Sequence, residues 1–335
     1  MFRSLGKMLM VGLCAVILVG LFAACGGNNG AAPGGSEVME LRLAHNLGED
    51  HPLHVAVVAF AQDVYEGTDG NVNVSIFPNA MLGTDIEVLQ QLQTGVIDLT
   101  RVGAASLESF SEVFSAFTVP FLFEDQEHFY RVMEGEVGQR FFDIAADDGL
   151  LGLTFYDGGA RSFYTNIPIH TPDDLVGLNV RVMDNPASVR MMQLLGGSAV
   201  PMAFGDIYTA LQQGVIDGAE NNPTALTLSA HGEVSDYFSL TEHLRIPDFL
   251  IISTAVWEQL STEYQQVFRQ AAARSTEVHS SLWAAAQDEA IIEAQGNMDV
   301  TIIHPDRAPF QQAVAPMLDE LSPPVREIAD AILAG

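Results

Sequence analysis

The chain has 335 residues and carries 14 Lys and Arg side chains against 43 Asp and Glu, a formal net charge of −29. A surface of that sign repels nucleic acid and anionic lipid headgroups, so neither is expected as a partner. It also excludes capture of an anion by diffuse attraction: an anion site here must be local, built and sheltered.

Lys7 is the sole lysine, so every cation past the leader is an arginine. Residues 1–24 read as a signal peptide, with Arg3 and Lys7 ahead of an apolar run from Leu9 to Ala24 that is too short and wrongly flanked for a transmembrane helix. The run ends Phe22-Ala23-Ala24-Cys25, which resembles a bacterial lipobox. Cys25 is therefore the expected lipidation site and membrane anchor, and residues 25–37, rich in Gly and Asn, its flexible tether. Cys14 leaves with the leader, so neither a disulfide nor a thiolate metal site is expected. About 300 residues remain, more than one core usually holds, so two domains are expected.

Met39–Ala44 alternates as a first strand and ends at His45-Asn46. Apolar residues at helical spacing (Leu53, Val57, Phe60, Val64) predict a helix from His51 to Gly67, with Pro52 in its first turn. Asn71–Phe77 reads as a strand, a helix capped by Thr84 or Asp85 stops at Gly95, and Val96–Val102 reads as a third strand. Alternating strands and helices point to a sheet with parallel members covered by helices, an α/β fold. Phe110–Phe123 reads as a buried connector, followed by helices at 126–133 and 137–146 and a strand at Leu150–Phe155.

The stretch Gly159–Arg181 then holds Arg161 and Arg181 in short apolar runs, separated by a turn-rich insert with a helix-start signal at Thr171-Pro172-Asp173-Asp174. A guanidinium presents a planar fork that matches a carboxylate with two parallel hydrogen bonds, which lysine cannot reproduce. In a chain this poor in cations, the two arginines are candidates for gripping a carboxylate. Asn179–Val182 reads as a strand, Pro186–Leu195 as a helix, Phe204–Gln213 as a helix and Val215–Ala219 as a strand. LQTGVID at 92–98 recurs as LQQGVID at 211–217, each where a helix stops at Gly, which suggests two lobes of similar build. In EHLRIPDFLIIST a strand is expected on either side of Pro247. Ser261–Gln295 has no Gly or Pro and predicts a helix of roughly 50 Å that braces both lobes.

Taken together, LRLAHN, FPNAMLGTDIEVLQQLQTGVIDLT, PFLFED, GARSFYTN…TPDDLVGLNVRV, VPMAFGDIYTALQQGVIDGAENNP and ISTAVW, collinear from Leu41 to Phe310, resemble the extracytoplasmic substrate-binding proteins of tripartite ATP-independent periplasmic (TRAP) transporters. The resemblance implies a periplasmic-binding-protein-like fold: two α/β lobes, a cleft that closes on an organic acid, and a long helix spanning the hinge. The expected lobes are 38–158 with 247–286, and 159–246 with 287–335. The resemblance gives Arg181 a bidentate salt bridge to the substrate carboxylate and Arg161 a supporting one. It matches Asn221, Phe204, Asn46 and Asp85 to further ligand contacts. Gly103 stands where the sialic-acid-binding branch has a glutamate, which disfavours sialic acid. ENNP and EHLRIPD look more like members that bind hexuronates, while a C4-dicarboxylate offers the same carboxylate to the fork.

Bland roles compete at each position. Asn221 beside Pro223 is ordinary turn chemistry, Asp85 serves equally as a helix cap, and Phe204 as core. His45 closes a strand or meets the ligand, Arg101 faces cleft or solvent, and His243 lies in the second crossing segment. His51 and His54 beside Asp50 lack a further ligand, so no metal is expected, and no cofactor. GxSxG, HExxH and Walker patterns are missing. The expectation is a monomeric binding protein, not an enzyme, that hands its acid to TRAP membrane subunits. A secreted carbohydrate hydrolase and a protein feeding a sensor are the alternatives.

Overall fold

The computed structural model describes residues 38–335. The expected signal peptide, tether and Cys25 lipidation site lie outside the described residues. Among the described residues no helix is long and apolar enough to cross a membrane.

Nine strands form one mixed sheet: β1 (Met39–Ala44), β2 (Val72–Phe77), β3 (Leu99–Gly103), β4 (Leu150–Thr165), β5 (Asn179–Val182), β6 (Ser198–Pro201), β7 (Gly218–Asn221), β8 (Tyr237–Ser253) and β9 (Thr301–Ile303). Their order is β2-β1-β3-β8-β4-β7-β5-β6, with β9 beside β8. A parallel block of β1, β2 and β3 lies at one end and a parallel block of β5, β6 and β7 at the other. The long strands β4 and β8 run antiparallel through the middle and join them. The result is two α/β lobes with a cleft between them.

The structure differs from the sequence reading at several places, each with a physical cause. The strand begun at Leu150 does not stop at Phe155 but continues to Thr165. Its register against β8 shifts between Asp157 and Ala160, where Gly159 takes φ +74°, so a bulge absorbs the break. Opposite that bulge, Pro247 does not divide two strands. It sits inside β8, paired with Asp157 beside the shift, where a missing N–H is tolerated. Strands at 96–98 and 215–217 are replaced by turns. Gly95 (φ +73°) and Gly214 (φ +66°) end the preceding helices, and the strands start at Leu99 and Gly218. The echo is structural as well: Asp98 accepts from the Arg42 N–H and Asp217 from the Asn179 N–H, each at 2.7 Å, so both lobes pin a neighbouring strand in one way. The insert signal at Thr171 yields only a short 3₁₀ turn, Pro172–Leu175.

The helix Pro52–Gly67 buries Leu53, Val57, Phe60 and Val64 against β1 and β8 in one core, together with Phe268 and Ala272. A second core gathers Tyr164, Ile207, Leu226 and Phe238 with Ala294. Phe268 and Ala294 belong to one helix, Thr262–Asn297, whose 36 residues rise roughly 54 Å. That helix spans the hinge, with an end in each core. A third cluster of tilted and edge-on aromatics (Phe114, Phe117, Phe141, Phe249) extends to Met191 and Ile332. The lobe division drawn from the sequence keeps 287–335 together. The last helix, Pro323–Ala334, instead packs toward the first-lobe connector, with His128 Nε2 2.8 Å from the Ile332 carbonyl. Its amphipathic face finds its apolar partners there rather than beside β9.

Candidate functional site

Strand alternation sets the site. In β5, Val180 and Val182 face the core, which turns Arg181 to the opposite side. β7 lies between β4 and β5, so Arg161 on β4, Glu220 and Asn221 on β7 and Arg181 on β5 come from adjacent strands. Arg161, Arg181 and Asn221 line a cavity of about 710 Å³ between the lobes. Asn46, Asp85, Arg101 and Phe204 line it too.

The two central arginines differ. Arg161 donates from Nε and Nη2 to the Glu220 carboxylate (2.6 and 2.9 Å), from Nη2 to the Glu220 carbonyl and from Nη1 to Asn221 Oδ1 (2.9 Å). Its fork is filled by a carboxylate of the protein, and one N–H is left over. Arg181 donates from Nε and Nη2 to a single carbonyl, that of Met202 (2.9 and 2.6 Å), which leaves three N–H groups. It is 4% exposed and has no acidic partner among the described residues. Burial weakens its hold on its proton, and Glu220 and Tyr164 only partly restore it. At Arg161 burial acts the same way but the Glu220 pairing outweighs it. Burial alone would raise the Glu220 carboxyl; Arg161 and the neighbouring His243 bring it down to about 2.

Across the cleft, Arg101 on β3 donates from Nη1 to Asn46 Oδ1 (3.0 Å) and pairs through Nη2 with Asp248 of β8. Thr84 caps the helix Asp85–Gln93 in a reciprocal box with Glu87, so the cap position belongs to Thr84 and Asp85 is left to face the cavity. Burial pushes the Asp85 carboxyl up to about 6, with Arg101 opposing and Asp248 adding to the rise. Ser106 lies 3.4 Å from it.

Two sequence candidates lie off the wall. His45 turns its ring to His54 (Nε2 to Nδ1, 3.0 Å) and accepts from the Leu47 N–H, a strand-end role. His243 stacks on Phe163 with centroids 4.5 Å apart, hydrogen-bonds Thr241 and stands 3.6 Å behind Glu220. It backs the arginine strand and borders a smaller recess on the far side. His51 and His54 diverge, one onto Trp283 and the other onto His45. Sequence reasoning missed Glu220, Asp248, His279 and Trp283. Glu220 and Asp248 stood inside quoted motifs, ENNP and RIPD, so an acid beside each was a usable signal. The two on the long helix carried none.

The chain matches the family described as bacterial extracellular solute-binding protein, family 7, over residues 43–323. A solute-binding protein of Chromohalobacter salexigens is 37% identical over 292 residues, 84% of this chain and 86% of that one. The crystal structure of a TRAP periplasmic solute-binding protein from Anaerococcus prevotii with bound D-glucuronate is similar at 38% identity and a TM-score of 0.86, covering 88% of this chain and 97% of that one. A counterpart from a Sulfitobacter species with bound β-D-galacturonate is 31% identical with a TM-score of 0.86, covering 88% of this chain and all of that one. With a hinged two-lobe cleft, the matched span and these likenesses together, the chain belongs to the bacterial extracellular solute-binding proteins of family 7, the group that holds the TRAP solute-binding proteins.

Proposed function

We propose that the cleft captures a hexuronate and delivers it to a TRAP membrane permease. Arg181 carries the proposal: a buried guanidinium with three unused N–H groups and no acid beside it demands an anion. In this reading the ligand carboxylate fills that fork. Asn221 and the spare N–H of Arg161 flank it, Phe204 packs on the sugar ring, and Asp85, Asn46 and Arg101 meet its hydroxyls from the other lobe. The cavity of about 710 Å³ has room for a sugar acid and the waters around its hydroxyls. The relatives with bound glucuronate and galacturonate support the same class. Asp157 is held by Arg245 and Asp248 by Arg101, so neither is free to work with Asp85 as an acid–base pair, which favours binding without turnover. Lipidation at Cys25 would tether a single copy outside the membrane, because one chain supplies the whole cleft.

Calorimetry against D-glucuronate, D-galacturonate and succinate tests this. A hexuronate is expected to bind at least about tenfold tighter than succinate, a difference of about 1.4 kcal/mol. No heat with either uronate, or a preference for succinate, overturns it.

A further inference from the structure

The long helix does more than brace the lobes. His279 and Trp283 lie one turn apart on it, each 1% exposed, and both line the cleft at the hinge. Their rings pack against each other (centroids 5.0 Å), and Trp283 also meets His51 (5.4 Å), a third wall residue. This end of the cavity is rich in donors and poor in acceptors. Trp283 Nε1 has no hydrogen-bond partner among the described residues, nor has His279 Nδ1, nor Arg101 Nε. An indole N–H and a guanidinium Nε–H can only donate. His51 adds a further donor by elimination. Its Nδ1 accepts from the Leu53 N–H, so the proton of the neutral ring sits on Nε2, whose nearest partner is Thr224 Oγ1 at a long 3.5 Å.

Both histidines are neutral, which fixes the chemistry of this end. Burial holds His279 near 3 and His51 well below the usual value, and the Arg101 charge lowers both further. With the Arg101 charge balanced by Asp248, the wall otherwise offers neutral donors, which suit hydroxyl, ring and carbonyl oxygens rather than a second carboxylate. A buried donor without an acceptor is costly to leave so, and a ligand that brings oxygens to this end removes the cost only when it is bound.

The same tryptophan touches the hinge. A Cβ on Gly159, the bulge residue of β4, would lie 3.2 Å from Trp283 Cζ2.

From these contacts we infer that Trp283 and His279, with His51 and Arg101, form a hydroxyl-reading subsite at the hinge that selects polyhydroxylated acids over plain ones. This rests on the assignment of Arg181 to the carboxylate, and the test separates the two. Affinities for D-glucuronate and for tetrahydropyran-2-carboxylate, the same ring acid without hydroxyls, are measured in the wild type, Trp283→Phe and Arg181→Lys. Phenylalanine removes the N–H together with part of the ring, a packing loss that both acids share, so the preference between them isolates the hydrogen bond.

The wild type should prefer glucuronate, and Trp283→Phe should shrink that preference about fivefold, the worth of one neutral hydrogen bond. Arg181→Lys should weaken both acids together and leave the preference intact. An unchanged preference in Trp283→Phe, or equal losses for both acids, overturns the subsite. Unchanged affinities in Arg181→Lys overturn the carboxylate assignment instead. If Trp283→Phe does not fold, His279→Leu, which removes the ring nitrogens, is read in the same way.

Discussion

Arg161 and Arg181 are the same chemical group, twenty positions apart, both buried, both on one side of the same sheet, yet they occupy opposite electrostatic states. Arg161 is satisfied from within: Glu220 fills its fork and Asn221 takes a further N–H. Arg181 has one carbonyl and no acid. Removing a guanidinium from water is costly, and only the first site recovers that cost when the protein folds. The second recovers it when an anion arrives. Burial therefore does not distinguish a structural arginine from a binding one; the missing counter-charge does.

The contrast can be broken most forcefully at the satisfied site. Arg161→Ala leaves the Glu220 carboxylate fully buried with only His243 nearby, at 3.6 Å. Orphaning one member of a buried pair costs about 3–5 kcal/mol, so the melting temperature of the ligand-free protein should fall by roughly 10 °C. Replacing both partners, Arg161→Met with Glu220→Leu, should restore most of that loss. A melting temperature unchanged in the single variant would show that the pair does not stabilise the fold.

Arg181→Lys sharpens the contrast from the other side. No internal carboxylate is orphaned, so the ligand-free melting temperature should hold while ligand affinity drops by about tenfold or more, read by calorimetry. Unfolding of this variant, or unchanged affinity, would make Arg181 structural like its neighbour.

The smallest effect concerns an acid on the facing lobe. Asp85 is raised to about 6 against an ordinary 3.8, so the folded protein holds that proton more tightly than the unfolded chain. Its ionisation penalises the fold fully above pH 6 and not at all below 3.8. Asp85→Asn should stabilise the ligand-free protein by about 1 kcal/mol at neutral pH, a figure discounted for partial exposure. The gain should fade as pH falls between those values. A gain that persists unchanged in acid would trace to something other than charge.

The helix Pro52–Gly67, the long helix and most strands were legible because each is written in local terms: apolar spacing, a capping residue, a Gly or Pro at the end. Where the reading failed, the cause was non-local. The strand through Arg161 looked short until its bulge was seen against β8, and Pro247 looked like a break until its partner Asp157 was known. His45 and His243 stood near the right elements, and their rings meet His54 and Phe163. Trp283 gave no sign, since any face of a helix polar on several sides could have met the cavity.

What the amino-acid order determined on its own is the inventory: which segments are strands or helices, how scarce the cations are, and that two arginines lie in apolar strand-like runs. Such properties depend on neighbours within a few residues, where backbone geometry fixes who meets whom. The tertiary structure alone decided which arginine met a carboxylate. Glu220 reaches Arg161 because β7 lies beside β4, a pairing made across 59 positions of chain. Arg181 remains open because the residue following β6, Met202, offers it only a carbonyl. Charge compensation acts through space, so the difference between a strut and a binding site was settled only when the sheet closed.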